Sequence, residues 1–151
     1  MIEGLYRKIA ASQLARDISL LFLRIGFGAV FFRSYQTKVE DGTLFDLTDT
    51  TFFLFEEEYA GVPIPADIAA PLATYAEFFL PLLLLLGLGT RVAAAGLVIM
   101  TLVIQIFVYP DAWWNPHMSW VAMGLILIVF GPGRISLDHL IGKVRDRHAA
   151  T

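Results

Sequence analysis

Long apolar stretches separated by short polar ones dominate the chain, and their lengths predict helices that cross a membrane. From Ile18 to about Thr37 runs ISLLFLRIGFGAVFFRSYQT. That is about twenty residues, enough to span a hydrocarbon layer of roughly 30 Å at 1.5 Å per residue. A second stretch, from about Ala66 to Leu88, contains ATYAEFFLPLLLLLGLG, and a third, VAAAGLVIMTLVIQIFVY, begins after only Gly89-Thr90-Arg91. So short a connection predicts an antiparallel hairpin. The fourth stretch, Met118 to Phe130, is short by itself and reaches a full crossing when Trp113 and Trp114 begin it as interfacial anchors. The expected fold is an all-α membrane protein, one domain forming a four-transmembrane-helix bundle with spans at about 18–37, 66–88, 91–109 and 113–131.

Two further helices are expected outside the spans. In the first loop, Asp46 or Thr48 can cap a helix through Thr51 to Phe55, ahead of an acidic run and the turn Gly61-Val62-Pro63-Ile64-Pro65. This helix is expected to be amphipathic and to lie on the outer leaflet. After Gly131-Pro132-Gly133, Ser136 can cap a C-terminal helix. There Ile135, Leu137, Leu140, Ile141 and Val144 recur at helical spacing beside a basic face, the pattern of an interfacial helix.

Basic residues give the orientation. Arg7, Lys8 and Arg16 precede the first span, Arg91 lies in the hairpin, and Arg134, Lys143, Arg145 and Arg147 follow the last. By the positive-inside rule these face the cytoplasm, which puts both termini there and the acidic loop 38–65 outside, in a cell or inner membrane. No removable leader is read at the N-terminus, so the first span itself directs insertion. Composition agrees with a membrane protein: 57% of the 151 residues are hydrophobic, more than a soluble core of that size can bury. The chain has no cysteine, which excludes disulfides and thiolate metal sites and leaves any redox role to a borrowed cofactor. A net charge of -3 without a basic stripe excludes a nucleic-acid partner.

Ionisable groups inside a membrane need a partner or a function. Arg24 of the first span and Glu77 of the second stand out, with an offset in depth that a long arginine can bridge. They read as a structural salt bridge or as the polar part of a pocket for a headgroup or quinone ring. Pro81 removes the hydrogen bond to the carbonyl of Glu77, four residues earlier, and so adds an acceptor to that pocket. Arg33, Tyr35 and Lys38 gather at the outer end of the first span at the depth of Gln105. They read as an anion or headgroup site or as side chains snorkelling to lipid phosphates. His117 follows the aromatic belt of Trp113 and Trp114 and can exchange protons or donate to a quinone carbonyl, although a metal site is not expected. Gly26, Gly28 and Gly96 are expected to permit close helix packing. No nucleophile–base pair, phosphate loop or haem-ligating pair occurs, so no self-contained catalytic motif is present.

LFLRIGFGAVFFRSYQTKV, then AEFFLPLLLLLGLGTRVAAAGLVIM, then GPGRISLD, resemble successive signatures of the DoxX family over about Leu20 to Asp138. Arg24, Lys38, Glu77, Thr90-Arg91 and Gly131 to Arg134 match the family's motif positions. The resemblance implies a four-helix membrane bundle. Its relatives include the DoxD subunit of thiosulfate:quinone oxidoreductase and membrane components of oxidative-stress and thiol homeostasis, and others are encoded beside small metal-stress peptides.

The function expected on these grounds is that of a membrane redox accessory. It binds quinone or a similar amphipathic molecule, with Arg24, Glu77, Arg33, Lys38, Gln105 and His117 as candidate contacts, and serves a partner oxidoreductase or a stress or metal-homeostasis system. At most it is a membrane subunit of an oxidoreductase. The alternatives are a non-catalytic scaffold or assembly factor and a small transporter, the last requiring a homo-oligomer to widen the pathway of four spans.

Overall fold

The computed structural model describes residues 12–149, so Arg7 and Lys8 lie outside the described residues. Among the described residues the structure is all-helical apart from turns, loops and one isolated antiparallel bridge between Val39 and Leu47. The helices are α1 (Gln13–Gln36), α2 (Asp49–Glu57), α3 (Ala66–Leu86), α4 (Thr90–Phe107), α5 (Met118–Phe130) and α6 (Leu137–Ala149). Of these, α3 and α4 are long and apolar enough to cross a membrane. Helix α1 is longer, at 24 residues, but carries Arg16, Asp17, Arg24 and Arg33, and α5 has only 13 residues.

Local sequence explains where the helices stop. Gly87 and Gly89 both adopt left-handed backbone, with φ of +67° and +57°, a conformation that side chains with a Cβ resist. The turn therefore lies at Gly87 to Gly89, and Thr90 and Arg91, expected in the turn, already belong to α4. The fourth apolar stretch also differs from expectation. Asn115 has extended backbone (φ −157°, ψ 112°) between Trp113–Trp114 and Pro116, so the two tryptophans stand on a separate turn and α5 begins at Met118.

In the core, α1 packs on α3, α3 on α4 and α4 on α5, around Phe27, Phe31, Leu84, Leu97 and Leu127. Phe22, Val92 and Val129 remain largely exposed, as lipid-facing side chains would in a protein whose outer surface is apolar. Small residues set the spacing. A Cβ on Gly28 would touch the Pro81 carbonyl at 3.4 Å and one on Gly96 would press on Leu80 at 2.8 Å, whereas Gly26 faces open space and has no packing role. Gly124 is the tightest of the glycines within the helices, where a Cβ would stand 2.2 Å from a Val98 methyl and 3.1 Å from the Phe27 ring. Gly124→Ala is therefore expected to destabilise the bundle by about 1–3 kcal/mol through overpacking. Gly26→Ala should leave the thermal midpoint in detergent unchanged, and equal midpoints for the two variants would refute the assignment.

Helix α2 forms as the loop sequence predicts, with Thr48 as its cap, but it lies against α3, burying Thr51 and Phe55 beside Ala69 and Ala70. At the opposite end of the bundle, the segment 131–138 is laced to the start of α1 and the α3–α4 turn. Asp17 accepts from the backbone N–H of Arg134 at 2.9 Å and from its guanidinium at 2.7 Å. The carboxylate of Asp138 accepts from the N–H groups of Gly89 and Thr90 at 2.8 and 3.1 Å, capping α4. Arg16 lies over the Phe130 ring, and Arg91 donates to the Ile128 carbonyl at 3.1 Å. Arg16, Arg91 and Arg134 thus share one end.

The backbone N–H and then the side chain of Arg134 hold the Asp17 carboxyl below the usual carboxylate range. A carboxylate so lowered adds stability that is fully present above the unfolded value of about 3.9 and is lost as the pH falls below that and on through the lower folded value. The thermal midpoint is expected to drop between pH 5 and pH 3. Asp17→Asn should start lower and fall less, and an unchanged slope would remove Asp17 from the account.

Candidate functional site

The buried charges form two separate centres. On α1, residues 24, 27, 31, 34 and 35 recur at helical spacing and face the bundle interior, with Arg24 toward the end that holds Arg16, Arg91 and Arg134, and Lys38 just past the opposite end. The two are fourteen residues apart, about 21 Å along a helix.

At the second centre Lys38 Nζ donates to Glu77 Oε2 at 2.8 Å and to the Ser34 hydroxyl at 2.6 Å, and Ser34 donates in turn to Glu77 Oε1 at 3.2 Å. Both charged side chains are buried. The loop fixes the lysine from behind: the Lys38 carbonyl accepts from Thr48 N–H at 3.1 Å and from the Thr51 hydroxyl at 2.8 Å, so the cap of α2 and the placement of Lys38 are one structure.

The pairing of Arg24 with Glu77 expected from depth alone does not form. A Cα–Cβ bond leans toward the N-terminus of its helix. On antiparallel α1 and α3 this sends Arg24 and Glu77 toward opposite ends of the bundle, widening the gap. Arg24 instead donates to the carbonyl of Leu84 at 3.3 Å and to that of Ile135. The end of a helix carries unsatisfied carbonyls and partial negative charge, so a buried arginine there needs no carboxylate. Gly87 makes room for it, since a Cβ at that position would stand 2.1 Å from Arg24 Nη1. Arg24 and Pro81 share a groove of about 260 Å³ with Gly28 and Phe32, and Glu77 is absent from its walls.

Two other cavities meet at Glu77. An apolar groove of about 330 Å³ runs between α3 and α4, lined by Leu72, Ala76, Leu80, Ile99 and Met100, with Glu77 and Tyr59 at its polar part. A chamber of about 310 Å³ lies among α1, α3, α4 and α5, lined by Ser34, Tyr59, Glu77, Tyr109, His117 and Trp120. Tyr59 is stacked on Phe55, ring centres 4.4 Å apart, and its hydroxyl has no partner among the described residues. Burial first, then the charge of Glu77, pushes this phenol far above its usual range, so it keeps its proton and can donate. Tyr109 donates to Glu58 at the rim.

The remaining expected contacts are divided. His117 Nδ1 meets Gln105 Oε1 at 2.7 Å, and the Gln105 amide nitrogen donates to the Pro110 carbonyl at 2.6 Å. Arg33 is exposed, Tyr35 donates to the Leu44 carbonyl at 2.8 Å, and Lys38 and Gln105 have separate partners, so the four do not form one anion site. Trp114 is 78% exposed, a suitable position for an interfacial anchor. Among the described residues no group of three or more His, Asp or Glu could hold a metal ion.

Ser34, Tyr59, Tyr109 and Trp120 were not legible as site residues. Ser34 alone carried a signal, its spacing of four from Lys38 on one helical face.

The family model described as DoxX matches residues 19–110, which takes in Arg24, Lys38, Glu77 and Gln105 and stops short of His117. A protein of Haemophilus influenzae, described as an uncharacterized protein, is 34% identical over 135 residues, covering 84% of this chain and 85% of its own. No solved structure matches the chain.

Proposed function

The chain belongs to the DoxX family and is a membrane protein, and we propose that it is a redox accessory binding a quinone or a similar amphipathic molecule at Glu77. The observation that carries this reading is that Glu77 lines both an apolar groove and a polar chamber. Each volume lies near the lower end of the range of roughly 300–1,000 Å³ for small-molecule sites. The groove suits an apolar tail lying between α3 and α4, and the chamber suits a polar ring. The chain supplies binding and electrostatics, while the ligand carries the electrons to or from a partner oxidoreductase or a stress or metal-homeostasis system.

In the same reading α1, α3, α4 and the stretch of Trp113 to Phe130 are four crossings of the inner membrane. The end that holds Arg16, Arg91 and Arg134 is cytoplasmic, as are both termini. Arg24 then braces the inner end rather than touching ligand.

The test is a mass spectrum of the organic extract after purification in mild detergent. A quinone is expected with the natural protein, and it should be reduced at least tenfold in Ile99→Trp, which narrows the groove at a residue 62% exposed, and in Glu77→Gln. Phospholipid alone in every sample would replace this reading with a scaffold whose buried charges only orient helices.

A further inference from the structure

We propose that the chamber prefers a ligand hydroxyl over a ligand carbonyl, because His117 is held there as a hydrogen-bond acceptor. The inference rests on the chamber binding a quinone-like ring, and it names the hydroxylated form, a hydroquinone or related phenol, as the favoured ligand.

The orientation follows from a chain of obligatory partners. The Pro110 carbonyl can only accept, so the Gln105 atom 2.6 Å from it is the amide NH2. The other amide atom, the carbonyl oxygen, therefore faces His117 Nδ1 at 2.7 Å. That oxygen also can only accept, so Nδ1 carries a proton. In the neutral ring Nε2 is then left with a lone pair.

His117 is 2% exposed and lines the chamber, whereas Gln105 does not. The ring is steadied by Trp120, centroids 5.3 Å apart. Nε2 has no hydrogen-bond partner among the described residues. Nε2 is not among the fully enclosed unpartnered atoms and so keeps surface open to a ligand, and a ligand hydroxyl supplies the donor that its lone pair can take. A carbonyl would set lone pair against lone pair.

The rest of the polar wall is divided between acceptors and donors, so the preference rests on His117. Glu77 offers a carboxylate, the Ser34 hydroxyl proton is already given to that carboxylate, and the Tyr109 proton is given to Glu58. Among the chamber's described side chains Tyr59 and the Trp120 indole keep uncommitted donors, which serve one ligand oxygen while a second hydroxyl donates to His117.

The test is equilibrium binding in detergent, without oxygen, of a decyl-substituted benzohydroquinone and of the matching benzoquinone. One hydrogen bond predicts the hydroquinone to bind about three- to tenfold more tightly, and His117→Phe should abolish the preference while retaining quinone binding. In case that variant does not fold, nitrogen-15 NMR of the natural protein must show a neutral His117 protonated at Nδ1. Quinone binding as tight as hydroquinone, or a ring protonated at Nε2, overturns the inference and leaves the binding site standing. Failure of both probes to bind overturns the proposed function as well.

Discussion

Lys38→Met is expected to destabilise the protein by about 3–5 kcal/mol, the usual cost of removing one partner from a buried ion pair. Lys38 and Glu77 are 2.8 Å apart with side chains 6% and 5% exposed. Without the ammonium, the carboxylate keeps only the Ser34 hydroxyl, which cannot compensate a buried charge. The second substitution matters as much as the first. Replacing a whole buried pair by apolar side chains is often close to neutral, so Lys38→Met with Glu77→Leu should recover most of the loss. Thermal unfolding in detergent checks both. A silent single variant would mean that Glu77 is not charged opposite Lys38, and a double variant as unstable as the single one would give the loop around Lys38 the structural role instead.

Arg24→Leu should loosen the end of the bundle that holds Arg134 by about 3 kcal/mol, the upper range for hydrogen bonds made by a charged group. Its guanidinium joins the end of α3, through the Leu84 carbonyl, to the segment before α6, through that of Ile135. The same segment places Arg134 on Asp17 and Asp138 on the start of α4, so its release should expose the chain to trypsin at Arg134. Faster cleavage there is the expected result. Ligand affinity should stay within about twofold, because Arg24 opens on the groove with Pro81 and not on either cavity of Glu77. A large loss of binding with an unchanged cleavage rate would return Arg24 to the ligand site.

Much of the architecture was legible from hydrophobic length alone. An apolar run of about twenty residues has few options besides a helix that satisfies its own backbone, so α1, α3 and α4 follow from sequence, as do the Thr48 and Ser136 caps. The break before α5 was not legible, because apolarity continues through Trp113 and Trp114 while the extended backbone at Asn115 ends the regular helix ahead of Met118.

Which polar residues matter was also readable: Arg24, Lys38 and Glu77 are costly inside an apolar layer wherever they point. Their partners were decided only in three dimensions. Counting residues gives the depth of a Cα but not the lean of its side chain, and antiparallel helices lean in opposite directions. Arg24 was therefore drawn to carbonyls that sequence does not display as acceptors, and Glu77 to a lysine that lies beyond the end of its helix. Tyr59 reaches the site because α2 folds back on α3 and its Phe55 is buried there. A stretch of chain determines the helices it forms and the groups it must shield from lipid, and only the packing of antiparallel helices determines which of those groups meet.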